Sequence, residues 1–201
     1  MDFNDTPQEA EYRARVKSWL ADNAPAYKIS HENPPPAHEF MRIARAWQAL
    51  KADAGFVGIM WPKTVGGQGG TPIQHVIFHQ EEEHCSLPNV PFQVGIGMCL
   101  PTLFTHGSPS VIERFMGPGI RGEEIWCQLF SEPSAGSDLA GLRTRAVRDG
   151  NDWIINGQKV WTSYAHEADF GILLVRTDPN LPKHKGLTMF YLDMRTPGVE
   201  V

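Results

Sequence analysis

Two short segments hold side chains whose types and order suit a ligand site. The first is Gln128-Leu129-Phe130-Ser131-Glu132-Pro133-Ser134-Ala135-Gly136-Ser137-Asp138-Leu139. A strand-like run delivers it, and Pro133 bars that strand from continuing. The small residues at 134–137 leave successive backbone N–H groups uncovered, with the Ser131 and Ser137 hydroxyls beside them. Such a nest suits an anionic or acceptor-rich ligand, although the same residues also serve ordinary tight turns. The second segment, Gln158-Lys159-Val160-Trp161-Thr162-Ser163, is expected to end another strand with an indole and two hydroxyls. An apolar slab beside hydroxyl donors is what a flat heteroaromatic ring requires. Trp161 taken alone reads as a core aromatic; the two strand ends together favour a site.

Other motifs fail on context. Gly117-Pro118-Gly119-Ile120-Arg121-Gly122 fits G-x-G-x-x-G, but a dinucleotide loop needs a strand before it and a helix after it. Here a helix precedes and a strand follows, so the segment is expected to be a flexible connector. His75 and His79 lie one helical turn apart, yet HVIFH lacks the glutamate of HExxH and no further cluster completes a shell; no metal site is expected. Ser137 sits in AGSDLAG rather than G-x-S-x-G, which excludes a nucleophile elbow.

Composition narrows the class further. The 201 residues are 41% hydrophobic and 20% charged, with a formal charge of -5. That balance suits a packed domain and argues against a nucleic-acid binder, whose footprint should be basic. No apolar run approaches the roughly 18–20 residues of a membrane span. The charged N-terminus MDFNDTPQEAEYRARVKSWL lacks the apolar stretch of a secretory signal. Cys85, Cys99 and Cys127 are scattered and odd in number, as expected of thiols in a reducing, cytoplasmic setting.

The elements that must position the two segments change character along the chain. Tyr12, Val16, Trp19 and Leu20 recur at helical spacing within 9–21, and Ile43, Trp47, Leu50 and Ala54 within 40–54, with Gly55 as a stop. GFVGIMWPKTVGGQGG must be irregular, Thr71-Pro72 opens a third helix to about Cys85, and a shorter one spans 109–116. From about Glu123 the period becomes that of strands, with Asp149-Gly150-Asn151 as a hairpin turn. The expected fold is α+β: an all-α domain over residues 1–122, then an antiparallel β-sandwich or barrel over 123–201. The final residues 195–201 enter a new strand with no closing signal, so the chain is expected to be incomplete.

The pairing of FSEPSAGSDLAGLRTRA with DWIINGQKVWTS resembles the middle domain of the acyl-CoA dehydrogenases, flavoproteins that desaturate acyl-CoA thioesters. The resemblance extends through GFVGIMWPKTVGGQGG, LPTLFTHGSPSVIERFM and HKGLTMFYLDMRTPGVEV, and so covers essentially the whole chain. It implies FAD as cofactor, an acyl-CoA substrate, electron-transfer flavoprotein as acceptor, and a homo- or hetero-oligomer. By the same resemblance Gln128, Phe130 and Ser131 line the flavin, Gly136 and Ser137 face its pyrophosphate, and Ser137 also borders the acyl-CoA. Trp161 covers the isoalloxazine, while Thr162 and Ser163 reach its N5/O4 edge. Ser134 and Tyr164 depart from the small residues common at those positions. The reaction is loss of an α-proton to a carboxylate base with hydride transfer from the β-carbon, giving a trans-2-enoyl-CoA. The base is expected in a C-terminal helical bundle that this sequence lacks, so residues 1–201 alone are expected to be inactive. Glu132 is kept as a structural residue. EEIWCQLFSEP, RTRAVRDG and TSYAHEADFGILLVRTDP resemble bacterial members acting in actinobacterial-style catabolism, some of which handle bulky steroid side-chain thioesters and some of which pair two unlike chains. A catalytically silent partner chain and a flavin oxidase or monooxygenase are the alternatives.

Overall fold

Thr6-Pro7 starts the first helix by purely local chemistry. The Thr6 hydroxyl accepts the Glu9 amide at 3.3 Å while the Glu9 carboxylate accepts the Thr6 amide at 2.7 Å, a reciprocal capping box. Pro7 adds a φ already set for the first turn. The computed structural model describes residues 4–201. Residues 1–3, the beginning of the charged N-terminal stretch and of the expected first domain, lie outside the described residues. Helix α1 runs Pro7–Asn23 and α2 Ala37–Asp53; α3, Pro72–Glu83, repeats the capping box with Thr71 and Gln74. After α4 (Val90–Val94) a π-helical stretch, Gly95–Cys99, leads into α5 (Leu100–His106), and α6 covers Pro109–Arg121. Among the described residues no helix is long and apolar enough to cross a membrane.

The chain divides into two compact units, one ending at Glu123 and one beginning at Glu124. In the helical unit, Val16, Leu20, Trp47, Phe56, Ile59 and Phe78 form a core in which the Phe56 and Phe78 rings stack at 4.7 Å. The buried stripe of α2 is rotated from its expected position. Met41, Ala44, Trp47, Gln48 and Lys51 are buried, whereas Ile43 and Leu50 are half-buried and Ala54 is exposed. The reason is polar. Lys51 Nζ donates to Asn89 Oδ1 at 2.7 Å and pairs with Glu82 Oε1 at 2.9 Å, and Trp47 Nε1 donates to both acceptors at 3.1 and 3.0 Å. Burial lowers the Lys51 pKa against the opposing Glu82 charge. Burial would also raise Glu82, but His79, Lys51 and Trp47 hold its carboxyl down at about 2.

The Gly117–Gly122 segment is helix rather than connector, since α6 continues to Arg121. Its closing carbonyls find donors. Gly122, at φ +71°, bonds back to Gly119 and Glu123 to Pro118, while Gln48 Nε2 reaches the Ile120 carbonyl at 2.9 Å and Arg45 the Gly122 carbonyl at 2.8 Å. A Cβ at Gly122 would stand 2.7 Å from both Gln48 and Phe92, so neither its conformation nor its surroundings admit a larger residue.

The second unit is built on β4 (Phe170–Arg176). Strand β5 (Leu187–Asp193) pairs antiparallel along its whole length. Strand β1 (Trp126–Leu129) lies parallel to its first half, Trp126 opposite Phe170, and β2 (Arg145–Asp149) joins at Arg145–Arg176, also parallel. Strands β2 and β3 (Asp152–Asn156) form the expected hairpin, with Gly150 at φ +60° in the turn. The sheet is therefore mixed rather than wholly antiparallel. Period-two patterning does not report strand direction, and the long excursion between β1 and β4 permits a parallel return. Cys127, Leu129, Ala146, Leu173 and Val175 form the core on one face.

Removing one partner of the buried ion pair strands the other. Lys51→Met should cost about 3–5 kcal/mol, and the double variant Lys51→Met/Glu82→Leu should recover most of it. Urea unfolding of these variants and of Glu82→Leu alone checks this; a double-variant loss equal to the sum of the two single losses would show that the pair carries no coupling.

Candidate functional site

A single carboxylate organises the region around the first ligand-like segment. Glu132, three residues beyond the end of β1, has a side chain only 5% exposed. Its Oε2 accepts the Arg143 amide at 2.6 Å; its Oε1 accepts the Thr144 amide at 2.8 Å and the Lys159 ammonium at 2.9 Å. Burial alone would raise its pKa, but the Thr144 hydroxyl, these amides and Lys159 hold it down at about 2. Lys159, 7% exposed, donates also to the Phe130 carbonyl at 3.0 Å, and the Val160 amide donates to the Ser131 carbonyl at 2.8 Å. The segments 128–132 and 157–160 are thus fastened side by side.

The small-residue turn follows at once. Glu132 and Ala135 exchange backbone hydrogen bonds at 2.9 and 3.1 Å, closing a loop around Pro133 and Ser134. Ser134, Gly136 and Ser137 are exposed, and among the described residues no protein acceptor meets their N–H groups. A Cβ at Gly136 would touch nothing within 4 Å, so the nest opens outward. Asp138 closes it through Lys183, whose Nζ lies 2.8 and 2.9 Å from the two carboxylate oxygens. Gln128, half-buried on β1, faces away from the Cys127–Leu129 core, and Phe130 and Ser131 are half-buried.

The second segment departs from expectation, because β3 stops at Asn156 and Trp161 does not sit at a strand end. Residues 157–163 run instead as irregular chain beside Ser131. A Cβ at Gly157 would stand 2.2 Å from the Thr144 hydroxyl oxygen, so the chain passes close against Thr144 just where the hairpin pairing ends. Trp161 and Tyr164 both take positive φ, +59°, a strained conformation for large side chains. Trp161 is 93% exposed, which excludes the core-aromatic reading. The Thr162 hydroxyl is shut away from solvent with no partner among the described residues, while Ser163 is exposed. Tyr164 stacks loosely on His166 at 6.1 Å, and burial with the neighbouring Glu167 raises its pKa.

Sequence reasoning passed over Lys159. The signal was its isolation: between Asp152 and Glu167 it is the only Lys, Arg, Asp or Glu. Among the described residues no group of three or more His, Cys, Asp or Glu is placed to hold a metal ion. A flat, acceptor-rich, anionic cofactor fits what is there. Among the described residues the Thr162 hydroxyl lacks a partner and the Ser131 amide and hydroxyl have none, an indole stands bare, and an open nest lies across the turn.

Comparison with known proteins agrees with this architecture. Residues 6–123 match the model of the acyl-CoA dehydrogenase N-terminal domain and residues 127–201 that of the acyl-CoA dehydrogenase middle domain. The chain belongs to the acyl-CoA dehydrogenase family. It is 48% identical over 154 residues to acyl-CoA dehydrogenase FadE34 of Mycobacterium tuberculosis, covering 77% of this chain and 21% of that protein. To acyl-CoA dehydrogenase IpdE1 of the same organism it is 39% identical over 195 residues, 95% of this chain and 50% of that one. The solved ChsE4-ChsE5 complex from Mycobacterium tuberculosis superposes with a TM-score of 0.79 at 33% identity, covering 97% of this chain and 49% of its own. The Tcur3481-Tcur3483 steroid acyl-CoA dehydrogenase gives 0.78 at 31%, covering 96% and 50%. The chain spans about half the length of IpdE1 and about a fifth of FadE34.

Two outcomes follow from the close approaches. Gly157→Ala should destabilise by about 1–3 kcal/mol through the clash with Thr144, whereas Gly136→Ala should stay within about 0.5 kcal/mol of wild type. Thermal melts of the two variants test the difference. Glu132 has a folded pKa near 2 against an ordinary 4.5, so its contribution is complete above pH 4.5 and is lost as pH falls toward 2. Acid titration of Glu132→Gln beside wild type should show the wild-type advantage shrinking across that window.

Proposed function

We propose that the complete protein is an FAD-dependent dehydrogenase that converts an acyl-CoA thioester to the trans-2-enoyl-CoA. The observation that carries this reading is the set of unclaimed polar groups around Ser131 and Thr162, beside the exposed Trp161, in a chain of the acyl-CoA dehydrogenase family. Gln128, Phe130 and Ser131 would line the flavin, the last through its amide and hydroxyl. Gly136 and Ser137 would take its pyrophosphate on open backbone N–H groups, with Ser137 also bordering the thioester ligand. Trp161 would cover the ring face, and Thr162 and Ser163 would donate at the N5/O4 edge. The bound flavin would supply the hydride acceptor for the β-hydrogen.

Neither Glu132 nor Asp138 suits the proton abstraction. Glu132 is committed to two amides and an ammonium, with its carboxyl held near 2, and Asp138 is paired with Lys183. A base must be basic and within reach of the proton, and the family resemblance implies one in a C-terminal helical domain, so we assign it to residues outside 1–201. Electron-transfer flavoprotein is the acceptor we assign, and the scattered cysteines suit a cytoplasmic setting. The names of the steroid acyl-CoA dehydrogenase and of IpdE1 and FadE34 support an acyl-CoA substrate, with a steroid thioester as the first to assay. A second reading, a silent chain within a hetero-oligomer, is favoured by the two-chain names of the ChsE4-ChsE5 and Tcur3481-Tcur3483 structures.

The full-length protein should purify yellow and release FAD on denaturation, identified by absorbance and mass. Colourless protein that FAD cannot reconstitute would replace this reading with the silent-chain one. Ser163→Ala removes one hydrogen bond to developing charge, worth about 1.5–3 kcal/mol, and should slow anaerobic flavin reduction by acyl-CoA roughly 10- to 150-fold. Stopped-flow single turnovers measure it, and an unchanged rate in a folded variant removes Ser163 from the site.

A further inference from the structure

The proposed flavin contacts leave one buried charge in the same region without a role. Lys159 reaches two oxygens: Glu132 Oε1 at 2.9 Å and the Phe130 carbonyl at 3.0 Å. The second contact matters for the ligand. The Phe130 carbonyl and the Ser131 N–H belong to one peptide group, and that N–H has no protein acceptor among the described residues. A cation on the oxygen of a peptide draws electron density from its nitrogen, so the N–H at the other end becomes a stronger donor. The side chain is only 7% exposed, so water screens little of this effect.

We infer that Lys159 is a positioning residue for the flavin site: it polarises the Phe130–Ser131 peptide so that the Ser131 amide favours the more negative, reduced form of the ligand. The inference rests on the flavin reading given above. Glu132 holds the ammonium in place while two further donors, the Arg143 and Thr144 amides, draw on the same carboxylate. The ion pair therefore points one hydrogen bond at the site and keeps its countercharge occupied elsewhere. Removing the charge from Lys159 acts twice in one direction, since the Ser131 donor weakens and the Glu132 charge is left uncompensated nearby.

The test uses the full-length protein loaded with FAD and reads the midpoint potential of the bound flavin, with flavin stoichiometry and thermal midpoint as controls. Lys159→Gln keeps a donor for the Phe130 carbonyl but no charge. It should shift the balance between oxidised and reduced flavin about tenfold toward oxidised, a fall of about 30 mV for a two-electron couple. Lys159→Arg keeps the charge and should leave the potential near wild type. Glu132→Gln removes the countercharge and should raise it, which keeps the inference open to refutation if Lys159→Gln does not fold. A purely structural lysine would lower the thermal midpoint or flavin occupancy of Lys159→Gln and leave the potential of the bound fraction unchanged; that result overturns the inference alone. A wild-type protein that binds no flavin overturns it together with the proposed function.

Discussion

The Glu132 carboxylate sets the geometry on which the second unit depends. It lies three residues beyond the end of β1, and it gathers three donors from two places: the Arg143 and Thr144 amides leading into β2, and the Lys159 ammonium beyond β3. A carboxylate so buried costs far more if any of those donors is missing than it returns when all are present. The arrangement is therefore close to all-or-none. With every donor in place, the chain around Ser131, the nest at 134–137 and the segment carrying Trp161 have one mutual position.

The helical unit uses the same device for another purpose. Lys51 and Glu82, with Trp47 and Asn89, tie α2, α3 and the loop before α4 in the core. Side chains from α2 also serve as donors to the closing carbonyls of α6, which is why a sequence rich in glycine with an internal proline remains helical there. Apolar packing makes each unit dense, and these few polar contacts decide which packing is reached.

Local chemistry was the legible part of the sequence. Thr71-Pro72 marks the start of α3, and Asp149-Gly150-Asn151 marks the hairpin, because the interactions concerned lie within a few residues; Thr6-Pro7 carries the same signal for α1, which the apolar spacing alone places from residue 9. What could not be read depended on distant partners. The rotated stripe of α2 follows from Glu82 and Asn89, 35 to 42 residues away from Trp47. The polar types at 128–137 and 161–163 suggested a site, but their spatial relation rests on Lys159, whose partners lie 27 and 29 residues back along the chain. Strand direction escaped for the same reason, since a half-buried strand shows one alternation whichever way its neighbour runs.

The parallel pairing of β1 with β4 also bears on the order in which the second unit assembles. Hairpins β2–β3 and β4–β5 join residues close in sequence, whereas β1 docks across the Ile125 amide–Asp169 carboxylate contact, 44 residues apart. Closing that long loop is the slow, entropically expensive step, and local pairings precede it. Glu132 lies inside that long loop, so the contact that holds Ser131 against Val160 shortens the chain left to close and lowers the entropic cost of docking β1.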